Sequence, residues 1–407
     1  MRWLAALLLT GAAGLTGPAA YAGEDVECRD ATSVTETYTT DRGSRAFDEL
    51  DLDDAHAWLR RRDEGLGRGV VVAVVDSGVG PVPGLDVVER PAVVPGLELR
   101  AYHGSAVAGL VHGVAPDAQV LDLQVYDDPT GQTGTPILTA NVVRALDVVL
   151  ARVRAGLAVR VVNISLNVEP DPALQERIDA LWEAGVVTVA PTGNRPSEET
   201  ESFIVPDAFD DFEPGENAVA VVHPAAYEHV LAVNASMAGT DGEDPHTYVL
   251  ENSATDLAAP TAGGVSATLG GGTCLLTPPA TSWAAAEVSG VLALLFSHFP
   301  DDTPDQAVAR LLLTADGRPD VPNRLLGAGE VQPYDALTRP LALSADGAAE
   351  QTASVPDTGR HHAPVPEPDV LAGVRDDAVW WGLLGGGAVV LALVLRPLLS
   401  RRPREHR

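Results

Sequence analysis

Four residues of this sequence are of the types that together carry out acyl transfer, and each stands where a patterned segment ends or begins. Asp76 closes the apolar run 70–75, His103 begins a stretch of small residues, and Ser282 begins a long apolar segment. A serine hydroxyl becomes nucleophilic when an imidazole takes its proton and a carboxylate holds that imidazole in one tautomer. Asn194 carries an amide N–H that suits the oxyanion which such an attack creates.

Each of these residues also has an ordinary structural explanation. An Asp after a strand or an Asn after a Gly is usually a turn residue, and a Ser at a helix start is usually an N-cap. A single His is more often structural, and His112 competes with His103 but lacks its small-residue context. The chemistry therefore depends on whether the fold gathers the four side chains.

The segments that must position these residues predict a parallel α/β fold. Continuous valine-rich runs are typical of strands buried on both faces, and segments 137–155 and 172–184 carry apolar residues at helical spacing. Strand–helix alternation implies a parallel sheet with helices on both faces, and chemistry gathers at the carboxyl ends of such strands. The predicted strands are residues 70–75, 120–125, 159–166, 186–190 and 230–233.

Composition restricts the classes of function. The chain has 407 residues, of which 27 are basic, all of them arginine, and 57 are acidic, so the formal net charge is -30. This charge argues against nucleic-acid binding and suits solubility outside the cell, although a GC-rich or salt-adapted genome would also explain it. Two cysteines are too few for a zinc site, and no acidic loop has a convincing calcium-ligand spacing. We therefore expect neither a metal nor another cofactor.

The two cysteines, Cys28 and Cys274, are candidates for a disulfide in an oxidising compartment. Such a bond would fix the N-terminal segment to the chain just before Ser282. Enclosing so long a loop would stabilise the fold by roughly 4–5 kcal/mol in the chain-entropy model. The sequence leaves the pairing open, because it does not place the two Cα atoms within bridging distance.

Residues 1–22 are typical of a cleavable secretory signal peptide. They contain an early arginine, a short apolar stretch and the small-residue ending Ala20-Tyr21-Ala22. An acidic extension follows over residues 23–64, in which 51–62 predicts a short amphipathic helix. The main domain is then expected over residues 65–340.

A second apolar segment, residues 379–395, predicts a single transmembrane helix. It is uncharged and about one bilayer long, and two tryptophans, which prefer the headgroup layer, stand at its outer edge. The arginine-rich tail 396–407 places the C-terminus in the cytoplasm by the positive-inside rule. The Pro- and Asp-rich residues 341–378 indicate a linker, so the main domain would be extracellular and anchored to the cell membrane.

Over about residues 68–340 these motifs resemble the subtilisin family. VVAVVDSGV, HGSAVAGLVHGVAPDAQV and ATSWAAAEVSGVLALL are similar to its aspartate, histidine and serine motifs, and VAPTGN is similar to its oxyanion segment. The chain order Asp, His, Ser is also that of subtilisin. The resemblance implies a serine endopeptidase that cleaves polypeptides through an acyl-enzyme, with Asp76, His103 and Ser282 as catalytic triad and Asn194 in the oxyanion hole.

The segment VVNISL resembles the substrate-binding strand of that family. The resemblance implies that Ser165, Leu166 and Asn167 contact an extended substrate. Three positions depart from the family pattern. Ala280 replaces a glycine, Ala286 replaces a proline common four residues after the nucleophile, and Asn167 replaces a small residue. We expect these departures to affect rate and substrate breadth more than the chemistry.

The whole layout is similar to the mycosins, the membrane-anchored proteases of type VII secretion systems. The shared features are a signal peptide, an N-terminal extension, the protease domain, a Pro-rich linker and one C-terminal helix with a basic tail. The likeness implies partners in type VII secretion machinery, and an extension that wraps the domain instead of a removable inhibitory propeptide. The alternative function is a structural one, in which the domain stabilises a membrane secretion complex with little or no turnover.

Overall fold

The computed structural model describes residues 20–22, 26–196, 205–317 and 322–349, and separate positions between 380 and 396. The chain divides into two compact units, Met1–Glu350 and Gln351–Arg407. The fold described below is that of the first unit, which holds all the candidate site residues.

The N-terminal part of the first unit contains two short strands and two helices. In chain order they are β1 (Ala20–Ala22), β2 (Thr37–Thr39), α1 (Arg45–Glu49) and α2 (Leu52–Arg60). β1 and β2 pair in parallel. α2 is the amphipathic helix expected over residues 51–62, and it buries Leu52, Ala55 and Leu59 in the core.

Among the described residues, a seven-stranded parallel sheet forms the centre of the unit. Its strands in chain order are β3 (Val71–Asp76), β4 (Asp86–Glu89), β5 (Gln119–Gln124), β6 (Val159–Asn163), β7 (Val187–Pro191), β8 (Val230–Ser236) and β9 (Leu257–Pro260). They lie in the spatial order β4-β5-β3-β6-β7-β8-β9, and each neighbouring pair is parallel. All carboxyl ends therefore meet at one edge of the sheet.

Helices cover both faces of this sheet. They are α3 (His103–Val114), α4 (Thr139–Arg154), α5 (Pro172–Glu183), α6 (Thr281–His298), α7 (Pro304–Thr314) and α8 (Pro333–Thr338). Alternate residues of β3 belong to two different cores. Val72 and Val74 share a core with α3 and α6, whereas Ala73 and Val75 share one with α4 and α5. This two-sided burial explains why the strands are continuous apolar runs in the sequence.

An antiparallel hairpin, β10 (Gly264–Ala267) and β11 (Thr273–Leu276), leads into α6. Cys28 and Cys274 form a disulfide there, with their Cα atoms 4.9 Å apart. The backbone N–H of Cys28 donates to the carbonyl of Leu275 at 2.8 Å, and the N–H of Leu275 donates to the carbonyl of Val26 at 2.9 Å. The N-terminal segment is thus fixed beside the hairpin that precedes α6.

The five strands predicted from apolar runs and the predicted helices are all present, but two of these strands end elsewhere than predicted, and two strands of the sheet were not among them. The strand predicted over residues 159–166 ends at Asn163, and the residues after it leave the sheet and reach the candidate site. The edge strand β4 was not predicted, because its sequence DVVE is short and partly exposed and lacks a continuous apolar run. The predicted strand 230–233 in turn continues to Ser236, and the other edge strand, β9, was not predicted from an apolar run.

The termini are described only in part. Residues 1–19 of the predicted signal peptide, the linker residues 350–378 and the tail residues 397–407 lie outside the described residues. The described positions within 379–395 have helical backbone. No helix among the described residues is both long and apolar enough to cross a membrane.

Candidate active site

Asp76 is the last residue of β3 and is completely buried. A buried carboxylate requires partners, and its Oδ1 accepts hydrogen bonds from the N–H of Ser77 at 2.7 Å and from the hydroxyl of Tyr126 at 3.3 Å. Both carboxylate oxygens lie 2.9 Å from Nδ1 of His103. Asp76 therefore meets its hydrogen-bonding requirement through three donors at the carboxyl edge of the sheet.

His103 is the first residue of α3, and the turn after β3 holds the start of this helix close to Asp76. The hydroxyl of Ser77 accepts a hydrogen bond from the N–H of Gly104 at 2.9 Å. Position 104 requires glycine, because a Cβ there would lie 2.5 Å from the carbonyl oxygen of Gly78. An imidazole that donates from Nδ1 to a carboxylate has an unprotonated Nε2, which is the state that a general base requires.

Ser282 is the second residue of α6, and 8% of it is exposed. Its Oγ donates to the carbonyl of Ser165 at 3.3 Å, and the hydroxyl of Ser165 donates to the carbonyl of Ser282 at 3.0 Å. Within the described part of the chain, no hydrogen bond joins Ser282 to His103, although both line the same cleft. Ala280 is the N-cap residue. Ser282 is therefore not a helix cap, and it lies in the first turn, where backbone N–H groups lack intrahelical acceptors.

Asn194 lies in the loop after β7 and directly follows Gly193. The φ of Gly193 is 110°, a value that residues other than glycine rarely adopt. Its Oδ1 accepts hydrogen bonds from the N–H of Thr281 at 2.8 Å and from the hydroxyl of Thr281 at 2.9 Å. The amide is thereby anchored through its oxygen to the start of α6. Asn194 and Ser282 line the same cleft, and an amide nitrogen is the kind of donor that an oxyanion site requires.

The candidate site is a cleft of about 650 Å³, and it contains every predicted site residue of the reaction except the buried Asp76. This volume is in the range of sites that enclose a ligand. Ser165, Leu166 and Asn167 form part of its wall. The side chain of Asn167 is held by a neighbouring segment, since its Oδ1 accepts a hydrogen bond from the N–H of His223 at 2.9 Å. The structure therefore brings all the predicted residues to one edge of the sheet.

The N-terminal extension also contributes to the cleft wall. Arg29, which follows the disulfide-bonded Cys28, lines the cleft and forms an ion pair with Glu27 at 2.7 Å. Residues 28–30 form a turn, so a turn of the N-terminal extension that the disulfide fixes is part of the cleft wall. Its contribution was not predicted, because the sequence left the pairing of the cysteines open.

Two other residues beside the site were missed in the sequence. Tyr126 comes directly after the predicted strand 120–125, and examining the residue after every strand would have found it. Trp283 packs on the imidazole of His103 with the ring centroids 4.9 Å apart, and only its position after the serine would have indicated it. The competing His112 lies in the last turn of α3 and is not part of the cleft wall.

Burial shifts the pKa values of three acidic groups in or beneath the site. Burial, together with the charge of Asp76, raises the pKa of Tyr126 well above its ordinary value, so the phenol stays a donor. Burial raises the pKa of Asp122 on β5 to about 6, although a backbone N–H and Arg90 act in the opposite direction. Burial raises the pKa of Glu287 well above its ordinary value, and neither of its oxygens has a partner among the described residues.

A carboxylate beside the cleft is used in the protein's own hydrogen bonds. Asp128 accepts from the N–H and hydroxyl of Thr133 at 2.6 and 3.0 Å and from the hydroxyl of Thr130 at 2.7 Å. These bonds hold Pro129 and Thr130 in the cleft wall. In the described ranges, no group of three or more His, Cys, Asp or Glu side chains is placed to hold a metal ion.

Comparisons with a family model and with known proteins agree on the family to which the chain is similar. The family model of the subtilases matches residues 94–329, a span that contains His103, Asn194 and Ser282 but not Asp76. The chain is 30% identical over 334 residues to Mycosin-1 of Mycobacterium tuberculosis (strain H37Rv), which covers 71% of this chain and 72% of that protein. It is 28% identical to Mycosin-3 of the same organism, over 84% of this chain and 82% of that protein.

A solved structure shares the fold along most of the chain. The MycP3 protease from the type VII (ESX-3) secretion system is 27% identical, with a TM-score of 0.55, and the match covers 80% of this chain and 96% of that one. This likeness agrees with the parallel sheet flanked by helices that the chain has.

Proposed function

Because the chain belongs to the subtilase family and is similar to its mycosin members, we propose that it is a serine endopeptidase with Asp76, His103 and Ser282 as its catalytic triad. The observation that carries this proposal is the pair of 2.9 Å contacts between the buried carboxylate and Nδ1 of the imidazole, in the cleft that Ser282 lines. A carboxylate held in this way fixes the tautomer that can accept a proton from a serine.

The reaction begins when Ser282 Oγ attacks the carbonyl carbon of the scissile bond. His103 Nε2 accepts the hydroxyl proton, and the negative charge of Asp76 stabilises the imidazolium that forms. The C–N bond then breaks, the imidazolium gives its proton to the leaving amine, and an ester of Ser282 remains. Water repeats the steps, with His103 again as the base, and releases the carboxylic acid.

The oxyanion of each tetrahedral intermediate is stabilised by two donors. These are the side-chain nitrogen of Asn194 and the backbone N–H of Ser282, which lies in the first turn of α6, where the helix dipole favours negative charge. The Ser282 hydroxyl must turn away from the carbonyl of Ser165 to reach the imidazole. The contact that it leaves is a long one of 3.3 Å, so this rotation costs little.

The substrate is a polypeptide bound in extended form along residues 165–167. Main-chain hydrogen bonds would give affinity, and the pockets between side chains would select the residues that are accepted. The Asn167 side chain narrows this part of the cleft, because its hydrogen bond with His223 fixes it in the wall. Small side chains are therefore expected to be preferred next to the scissile bond.

Labelling with a fluorophosphonate probe tests the proposal, because such probes react with activated serine nucleophiles. The purified protein is expected to become labelled, and Ser282→Ala is expected to abolish the label. Ser253→Ala, at an exposed serine outside the cleft, is the control and should label like the unmodified protein. An unmodified protein that takes up no label, or a label that persists in Ser282→Ala, would contradict the proposal.

We propose that the protein is located at the outer face of the cell membrane, in association with type VII secretion machinery. The similar MycP3 protease is from the type VII (ESX-3) secretion system, and the apolar segment 379–395 with its arginine-rich tail would anchor the protein. Fractionation is expected to find the full chain with the membrane and a chain truncated after residue 378 outside it. Equal distribution of the two would contradict anchoring by this segment.

A second candidate function is a structural one, in which the domain stabilises a membrane secretion complex with little turnover. The observation in its favour is that Ser282 Oγ bonds to the carbonyl of Ser165 and not to the imidazole. A Ser282→Ala strain that secretes normally, beside a deletion strain that does not, would support this function. A Ser282→Ala strain with the secretion defect of the deletion would exclude it.

A further inference from the structure

The residue after the oxyanion asparagine forms a buried ion pair. Arg195 and Glu216 make two parallel hydrogen bonds, of 2.9 and 3.0 Å, and their side chains are only 5% and 4% exposed. This two-pronged geometry is the strongest form of Arg–carboxylate contact. It requires both side chains to be held in one orientation.

The same guanidinium also donates hydrogen bonds to three backbone carbonyls. One of them lies in the segment 209–216, which contains Glu216, and two lie in the segment 246–251. It donates to Phe209 at 2.7 Å, to Val249 at 3.5 Å and to His246. Glu216 Oε1 in turn accepts the N–H of Glu251 at 3.0 Å. The pair therefore joins residues 209–216 to residues 246–251.

The second of these segments holds the backbone on both sides of Asn194. The N–H of Arg195 donates to the carbonyl of Tyr248 at 2.9 Å, and the N–H of Leu250 donates to the carbonyl of Gly193 at 3.1 Å. Asn194 itself pairs with Val249 in an antiparallel bridge. A shift of residues 246–251 would therefore move the asparagine together with its amide.

We propose that the Arg195–Glu216 pair is a positioning device for the oxyanion site, an inference that rests on the proposed function. The pair does not touch the reacting atoms and is not among the residues that line the cleft. The pair acts through Asn194, whose amide must stay within a fraction of an ångström of the position from which it donates to the oxyanion. A misplacement of about 1 Å lowers the rate by up to about 10²-fold. The charge of the pair locks two loops into the arrangement that the asparagine requires.

Glu216→Gln tests this role, because it removes the charge and keeps the size of the side chain. We expect kcat to fall by about 10- to 100-fold, with KM changed by less than about twofold. In an Asn194→Ala background the same substitution should lower kcat by less than about twofold, because the donor that it positions is already absent. Equal losses in both backgrounds, or an unchanged kcat in Glu216→Gln alone, would overturn the assignment.

The control is another partly buried Arg–carboxylate pair outside the cleft. Arg310 and Asp302 are 2.6 Å apart, with side chains 10% and 13% exposed, and Asp302→Asn should leave kcat within about twofold. Glu216→Gln leaves a buried cation without its carboxylate, so the double variant Arg195→Met with Glu216→Met is measured beside it. A folded double variant with an unchanged kcat would also overturn the proposal.

Backbone hydrogen exchange provides a measurement that does not depend on turnover. The amides of residues 193–195 are expected to exchange faster in Glu216→Gln than in the unmodified protein. Unchanged exchange would overturn the inference that the pair fixes this loop. A protein that neither reacts with the probe nor cleaves peptides would refute the proposed function, whereas the exchange measurement would still test the pair.

Discussion

Replacing Asp76 with asparagine tests the tautomer argument directly, because the structure fixes which way the new amide would face. Oδ1 of Asp76 accepts hydrogen bonds from the N–H of Ser77 and the hydroxyl of Tyr126, and both Oδ1 and Oδ2 lie 2.9 Å from Nδ1 of His103. The backbone N–H of Ser77 can only donate, so it requires an oxygen at the Oδ1 position. In Asp76→Asn the amide nitrogen must therefore occupy the Oδ2 position, 2.9 Å from the imidazole nitrogen.

An amide nitrogen there is a donor that faces Nδ1, so it favours the tautomer in which Nδ1 is unprotonated and the imidazole proton is on Nε2. His103 then presents a proton to Ser282 where the reaction requires an acceptor. In serine proteases with this arrangement the wrong tautomer lowers kcat by about 10⁴-fold, which corresponds to about 5.4 kcal/mol of activation free energy. We expect a loss of this size in Asp76→Asn, with the fold retained.

The assay measures kcat on a peptide substrate and the rate of fluorophosphonate labelling, with thermal unfolding to confirm that the variant is folded. Asp122→Asn is the matched control, since Asp122 is a buried aspartate on the adjacent strand β5 that has no hydrogen bond to His103. It should keep kcat within a few-fold of the unmodified protein. A loss smaller than about tenfold in folded Asp76→Asn would refute the conclusion that this carboxylate sets the tautomer.

Three further predictions follow from other contacts. Tyr126→Phe removes one hydrogen-bond donor from Asp76. The loss of about 1 kcal/mol of stabilisation should lower kcat by about fivefold in steady-state kinetics. An unchanged kcat would mean that the phenol does not hold the carboxylate. Replacing Cys28 and Cys274 by serine opens a loop with a sequence separation of 246. In the chain-entropy model this should lower the free energy of unfolding by about 5 kcal/mol. An unchanged midpoint of urea unfolding would contradict this prediction. Burial raises the pKa of Glu287 in the folded state, so the folded protein keeps a proton that the unfolded chain releases above its pKa of about 4.3. The free energy of unfolding should therefore fall by about 1.4 kcal/mol per pH unit as pH rises from there toward the folded pKa. Urea unfolding at pH values above 5 should show a steeper fall of stability with pH in the unmodified protein than in Glu287→Gln. Equal slopes in the two proteins would contradict a raised pKa of Glu287.

The sequence alone determined most of the sheet and the residues at its carboxyl edge. Continuous apolar runs predicted β3, β5, β7 and the start of β8, because a strand buried on both faces must be apolar at every position. Asp76, His103, Asn194 and Ser282 were indicated by their positions after strands or at helix starts. These patterns depend on neighbouring residues, so they remain visible without a structure.

Tertiary structure alone decided the contacts that connect distant parts of the chain. The hydroxyl of Tyr126 meets a carboxylate 50 residues away, Cys28 bonds to a residue 246 positions away, and the side chain of Arg195 closes on a glutamate 21 positions away. No local pattern encodes such pairs, because their free energy arises only when packing brings the groups together and excludes water. The sequence therefore predicted which side chains could react, and the packing of the loops decided how they are held.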